Sequence, residues 1–133
     1  MVCSKDAETQ IAAALGESAQ VQAPTWADHV YGCHLLYQDN AYVALSVKEL
    51  SSWKQTFAYF GMYKSQLGNT GNINGLGQGA FQASNGDVVV RKDWKVLLVD
   101  IKGLPAQFGV PPTPSADVAV TVADVILGCW AGD

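Results

Sequence analysis

Residues 94–101, WKVLLVDI, constrain the fold more than any other stretch, because they are apolar on both faces of a strand. Successive side chains of a strand point to opposite faces, so Leu97 and Val99 lie on one side. Val96 and Leu98 lie on the other side. Apolar side chains on both faces are typical of strands with a layer packed on each face. The sequence therefore predicts a strand that is central or covered on both sides.

Two earlier runs predict an antiparallel hairpin. Residues 30–38 and 41–48 alternate between two faces, and the second run alternates cleanly between apolar and polar side chains. This alternation is typical of strands with one buried face. Asp39 and Asn40 separate the runs, and both residue types tolerate the positive φ of a tight turn. In the first run, Cys33 belongs to the inward-facing set.

Three segments carry the signals of helices. Ser4 can cap a first helix that ends before Gly16. Ser51 or Ser52 can cap a second helix, and Thr113 a third helix with proline at its first position. In the second helix, helical spacing predicts an aromatic face packed on the sheet, formed by Trp53, Phe57, Phe60 and Leu67.

The order of these elements predicts the fold class. The succession α-β-β-β-α-β-β-β-α indicates an α+β fold, with three helices packed on an antiparallel sheet of about five to six strands. A length of 133 residues is that of one domain. We therefore expect residues 1–133 to form a single globular unit.

The segment 68–81, GNTGNINGLGQGAF, has the glycine content of a phosphate-binding loop. A nucleotide loop follows a strand and opens a helix, whose N-terminus holds the phosphate. Here a predicted helix precedes the segment, and a hairpin with an Asn85-Gly86 turn follows it. The chain also contains no Gly-Lys-Ser/Thr motif. The glycines therefore predict a change of chain direction, and we expect no nucleotide or other cofactor.

Charge and hydropathy argue against two classes of partner. Twelve acidic and eight basic residues give a formal charge of −4, whereas nucleic-acid-binding domains usually carry a basic stripe. The most apolar segment, residues 116–130, is too short to span a bilayer and contains two aspartates. We expect neither a nucleic-acid partner nor a membrane span. Half of the basic residues fall within twelve positions, which is more typical of a solvated hairpin tip than of an anion site: Arg91, Lys92, Lys95 and Lys102.

Cysteine and histidine spacing predicts no catalytic or metal-binding residue. Cys3, Cys33 and Cys129 lack the paired spacing of zinc ligands. They are compatible with three buried thiols in a cytosolic protein, or with one disulfide and one free thiol in an oxidising compartment. His29 and His34 occur in no motif of a catalytic triad. The residues alone leave the compartment open.

Several short motifs follow one another in a recognisable order. NGLGQGAF at 74–81 is followed by VVVRKD at 88–93. An early cysteine, Cys3, precedes a helix that ends in ALG at 14–16, and Cys33 lies in the first long strand. This combination resembles small cell-envelope lipoproteins of actinobacteria.

The resemblance implies a secreted or lipid-anchored α+β domain, extracellular or in the cell envelope and usually of unknown function. Any lipid anchor would belong to the full-length precursor. The resemblance further implies a structural disulfide between Cys3 and Cys33, which leaves Cys129 as a free thiol.

The predicted function is recognition rather than catalysis. We expect a non-enzymatic binding domain for a small apolar ligand or an envelope protein, with Phe108, Tyr59 and Tyr63 as candidate binding residues. Phe108 lies in the proline-rich connection 102–113, and loops of this length are often functional. That connection also supports an alternative, a secreted enzyme inhibitor or other protein–protein module. A small hydrolase-like enzyme using a histidine is a third hypothesis, which requires a carboxylate near the imidazole.

Overall fold

A computed structural model describes residues 3–22 and 24–130 and has the predicted α+β fold. Its helices are α1 (Lys5–Leu15), α2 (Trp53–Leu67) and α3 (Ser115–Trp130). The Oγ atom of Ser4 accepts a hydrogen bond from the N–H of Ala7 at 3.2 Å. The Oγ atom of Ser52 accepts one from the N–H of Gln55 at 3.2 Å. These contacts confirm the N-caps of the first two helices.

Within the described residues, four strands precede α2 and six follow it. Their bounds are β1 (Gln20–Val21), β2 (Thr25–Ala27), β3 (Val30–Leu36), β4 (Tyr42–Glu49), β5 (Gly71–Asn72), β6 (Gly79–Gln82), β7 (Val88–Lys92), β8 (Lys95–Asp100), β9 (Gln107–Phe108) and β10 (Thr113–Pro114). Eight of them form an antiparallel sheet in the order β1-β3-β4-β8-β7-β6-β5, with β2 also pairing with β3. The predicted succession of helices and strand groups is confirmed. The sheet exceeds five or six strands because strands of two or three residues, such as β2 and β5, are too short to show alternation in a sequence.

The helices cover the two faces of this sheet unequally. α1 and α3 pack on one face, where Val43, Leu45 and Val47 of β4 are buried together with Leu97 of β8. α2 packs on the other face over β7 and β8, where Phe60 joins a second buried cluster. β8 is therefore covered on both sides, as its sequence predicts.

The β6–β7 hairpin differs by one residue from the register that Asn85-Gly86 suggests. A two-residue turn would pair Phe81 with Val90, but Phe81 pairs with Val89. The turn contains three residues, closed by a hydrogen bond from the N–H of Ala83 to the oxygen of Asp87 at 2.7 Å. Paired residues of neighbouring strands point to the same face of a sheet, so Phe81 shares the face of Val89 and not that of Val90. This is the face that α2 covers. The Phe81 ring lies edge-on to Phe60, with centroids 5.3 Å apart.

The glycine-rich segment runs from the end of α2 into the sheet, as expected. Gly68 is the C-cap of α2, and β5 then pairs with β6. Gly77 has a φ of 56°, in the left-handed region that favours glycine. The glycines therefore reverse the chain between a helix and a strand.

The proline-rich connection 102–113 folds against the end of α1. Its strands β9 and β10 pair with each other, apart from the main sheet. The N–H of Val110 donates to the oxygen of Leu15 at 2.8 Å, which fixes the tip of the connection. Thr113 was expected to cap the third helix, but this prediction is wrong because Thr113 and Pro114 form β10. α3 accordingly begins at Ser115.

A disulfide joins the start of α1 to β3. Cys3 and Cys33 are bonded, with their Cα atoms 6.3 Å apart, and Cys129 is a free cysteine. The pairing confirms what the family resemblance implies. Disulfides are typical of proteins in oxidising compartments, so the bond is consistent with an extracellular location.

Candidate functional site

The sheet has a depression on the face opposite α1 and α3, beside α2. Its floor consists largely of small residues. Ser46 of β4 lies between Gly32 of β3 and Leu98 of β8. Ala44, two residues earlier on β4 and therefore on the same face, is also small. We call this depression the sheet trough; its volume is about 430 Å³. The side chains that line it include those of Gln22, Thr25, Val30, His34, Ala44, Ser46, Leu98 and Asp100.

Two ionisable side chains lie in one row across the trough, on either side of Ala44. His34 and Asp100 flank Ala44 on the neighbouring strands. The His34 imidazole stacks on the ring of Tyr42, with centroids 5.1 Å apart and an angle of 16° between the planes. Asp100 accepts a hydrogen bond from the Nζ of Lys102 at 2.7 Å. The trough thus combines an apolar floor with two oriented polar side chains.

Tyr59 and Tyr63 belong to α2 and lie on the same face of the sheet as the trough, packed against the Phe60 cluster together with Leu98. Their rings meet edge-on with centroids 5.3 Å apart, and both side chains are half-buried. The Nζ of Lys48, on the trough face of β4, lies 5.8 Å from the centroid of Tyr59. Burial, then a hydrogen bond with Tyr59, raises the pKa of the Tyr63 phenol, to which the charge of Asp100 also contributes. These two candidate binding residues are therefore adjacent to each other on the trough side of the sheet, but neither is among the residues that line the trough.

Phe108, the third candidate residue, belongs to the opposite layer of the molecule. It packs against the core under α1 and α3, and its ring meets that of Tyr37. It also lines a separate cavity of about 560 Å³ formed largely by the connection 102–113. Burial, followed by the charge of Glu17, raises the pKa of the Tyr37 phenol to about 12. The structure thus brings Tyr59 and Tyr63 together, but not Phe108.

The histidines lie apart from each other. His29 is in the turn between β2 and β3, with a φ of 61°, and contacts the exposed ring of Trp26. His34 is on the trough floor. No salt bridge within residues 3–22 and 24–130 involves either imidazole, since both such pairs are made by Lys102. The same ranges contain no cluster of three side chains arranged to hold a metal ion.

Two aromatic residues of α2 differ from their predicted positions. Trp53 and Phe57 were expected to pack on the sheet, but they are 55% and 54% exposed. Thr56 and Phe60 are the buried residues of this helix. The rings of Trp53 and Phe57 instead lie near the guanidinium of Arg91, whose Cζ is 5.0 and 5.6 Å from their centroids. Helical spacing alone did not distinguish contact with a cation from burial.

The four basic residues that are close in sequence do not form one cluster. Lys102 lies beyond the end of β8 and pairs with Asp100 and Asp87. Arg91 lies at the opposite end of the hairpin, against the aromatic rings of α2. The predicted solvated hairpin tip therefore does not describe the surroundings of Arg91.

In the part of the chain that the structure describes, no helix is both long enough and apolar enough to cross a bilayer. No protein-family model matches the chain, and no curated protein or solved structure is significantly similar to it.

Proposed function

We propose that this protein is a non-enzymatic recognition domain of the cell envelope or extracellular space, and that a small apolar ligand binds in the sheet trough. The observation that carries this proposal is the depression of about 430 Å³ beside α2. Binding sites for small molecules are usually concave, mostly apolar and equipped with a few oriented polar groups. The trough has these three properties.

The floor of the trough favours a flat ligand. Gly32, Ala44 and Ser46 have short or absent side chains, so a ligand can approach the strands closely. Leu98 supplies apolar surface. A planar, mostly apolar molecule fits this surface best.

The uncharged fluorescent dye Nile red provides a direct test. We expect saturable binding to the native protein, because the dye is planar and apolar. Ala44→Phe should weaken binding by about tenfold or more by filling the trough, a loss of about 1.4 kcal/mol. Ala13→Phe adds the same ring to an exposed position of α1 and is the matched control.

Both variants should fold, which thermal unfolding measures independently of the dye. Equal dye affinity in native protein and Ala44→Phe would place the dye elsewhere and contradict the proposal. Weaker binding in Ala13→Phe as well would show that dye binding does not report on the trough.

A second candidate function uses the connection 102–113 as a contact for another protein, such as a secreted enzyme that it inhibits. Val110 favours it, because its side chain is 62% exposed while its backbone is fixed to Leu15. A rigid exposed apolar residue loses little conformational entropy on binding. Val110→Asp should reduce partner capture from envelope extract and leave Nile red binding unchanged. Loss of Nile red binding in Val110→Asp would instead show that the connection 102–113 and the sheet trough do not act as separate sites.

A further inference from the structure

A smaller cavity of about 260 Å³ lies between α2, the glycine-rich segment and β7. We propose that it binds an oxyanion, the carboxylate or phosphate group of a small ligand. Its lining includes two cations and two side-chain amides but no acidic residue: Lys64, Arg91, Asn72 and Asn74, beside Phe57 and Phe60. This site is separate from the sheet trough.

Arg91 is held in a defined orientation. It pairs with Gly79 across the β6–β7 ladder. A Cβ atom on Gly79 would lie 2.8 Å from the Nε of Arg91, so the absence of a side chain leaves room for the guanidinium. On its other sides the guanidinium lies near the rings of Trp53, Phe57 and Phe60. Arginine presents a rigid, planar fork that matches the geometry of carboxylate and phosphate, and such packing orients it before a ligand arrives.

One donor of the Arg91 guanidinium lacks a protein acceptor. The Nε atom is buried and has no hydrogen-bond partner among residues 3–22 and 24–130. Neither of the salt bridges found within residues 3–22 and 24–130 involves Arg91 or Lys64. Buried polar groups are normally paired, so an unpaired guanidinium donor beside a cavity indicates an acceptor that comes from outside the chain.

Lys64 provides a second positive charge at the same cavity. Its Nζ lies 5.2 Å from the centroid of Phe60, and the Cζ of Arg91 lies 5.7 Å from the same centroid. The two cations therefore both lie near the Phe60 ring, and no acidic residue lines the cavity beside them. Both side chains are half-buried, so an anion in the cavity would be attracted to both charges and would offset their mutual repulsion.

Asn72 adds a directional donor. Its Oδ1 accepts a hydrogen bond from the Nδ2 of Asn69 at 3.4 Å, which leaves its own amide group available. The glycine-rich segment thus contributes to recognition through asparagine amides rather than through a phosphate loop at a helix N-terminus. Two cations and an amide donor define an oxyanion site.

Titrations of ¹⁵N-labelled protein with inorganic phosphate and with acetate, at constant ionic strength in sodium chloride, test the proposal. We expect saturable shifts of the Arg91 Nε–H and the Asn72 side-chain amide. Saturation by phosphate alone identifies a phosphoryl ligand, saturation by acetate alone a carboxylate, and saturation by both a general oxyanion site. No saturable shift with either anion would overturn the proposal.

Charge-removing variants locate the site. Arg91→Met and Lys64→Met should each weaken anion binding by about tenfold, because each removes a charge-assisted contact. Lys54→Met is the matched control, since it removes the same charge from an exposed position of the same helix. Equally weak anion binding in Lys54→Met would mean that affinity depends only on net charge, and it would overturn the proposed site. The amide spectra report the folding of each variant, and Lys64→Met keeps the test available if Arg91→Met does not fold.

Discussion

The ring of Phe108 meets the ring of Tyr37 edge-on, with centroids 4.8 Å apart and an angle of 69° between the planes. This contact joins the proline-rich connection to the core under α1 and α3. Phe108 is half-buried there, so its side chain contributes to packing in addition to any role in recognition.

The variant Phe108→Ala should lower the free energy of unfolding by about 2 kcal/mol, below the range for a fully buried phenylalanine. Urea unfolding measures this change. Gln107→Ala, at the exposed neighbouring position of β9, should change stability by less than about 0.5 kcal/mol. If the two substitutions have equal effects, the contact with Tyr37 does not stabilise the fold.

The disulfide predicts a definite thiol count. Native protein that is denatured without reduction should react with a thiol reagent at one cysteine, and reduced protein at all three. Cys129→Ser should leave no reactive thiol without reduction. Three thiols before reduction would show that Cys3 and Cys33 are not bonded.

Removal of the disulfide should destabilise the protein. Its cysteines are 30 residues apart, and releasing a loop of that size raises the conformational entropy of the unfolded chain. The double variant Cys3→Ser/Cys33→Ser should lose about 3–4 kcal/mol of stability in the chain-entropy model. Cys129→Ser is the control for replacing a cysteine by serine. An equal loss of stability in Cys129→Ser would show that this replacement, and not the missing disulfide, causes the effect.

Asp87 is a fully buried carboxylate at the β6–β7 turn. Its Oδ1 accepts a hydrogen bond from the N–H of Ile101 at 2.9 Å, and its Oδ2 lies 3.6 Å from the Nζ of Lys102. Burial nevertheless raises the pKa of this carboxyl above its usual value, an effect that the Ile101 and Lys102 contacts only partly offset. The folded protein therefore binds a proton here more readily than the unfolded chain does.

This shift predicts how stability depends on pH. Between the unfolded pKa of 3.8 and the raised folded pKa, the native state binds more protons, so the contribution of Asp87 to stability falls as pH rises. The stability of native protein minus that of Asp87→Asn should decrease over this window, by at most about 1.4 kcal/mol per pH unit. Urea unfolding from acidic to neutral pH measures it. A stability difference for Asp87→Asn that rises with pH over this window would contradict the shift.

Gly77 tests whether the glycine-rich segment has an architectural role. Besides its positive φ, a Cβ atom there would lie 2.6 Å from the Cγ1 of Val90 and 2.8 Å from the oxygen of Arg91. Gly77→Ala should therefore cost about 1–3 kcal/mol of stability. A Cβ atom on Gly71 would have no neighbour within 4 Å, so Gly71→Ala should be nearly neutral. Similar stabilities of the two variants would argue against a specific requirement at Gly77.

Local patterns predicted much of the fold. Ser4 and Ser52 marked helix starts correctly because capping depends on residues two or three positions away. Leu97 and Val96 indicated cover on both faces of β8, which the structure confirms. The Asn85-Gly86 dipeptide located a turn but not its length, so the register at Phe81 was wrong by one residue. Tyr59 and Tyr63 were chosen from helical spacing, but their position on the trough side of the sheet depends on contacts that no local pattern contains.

The sequence by itself determined the class of fold, the main helices and strands, and the inward face of each long strand. These features follow from side-chain periodicity, capping and turn chemistry, which act between neighbours in the chain. Only the tertiary structure decided that a trough remains beside α2 and that Arg91 meets Lys64 at Phe60. The physical reason is that β4 pairs with β8 across about 50 intervening residues, and long-range pairing of this kind decides where α2 lies and which side chains it leaves exposed.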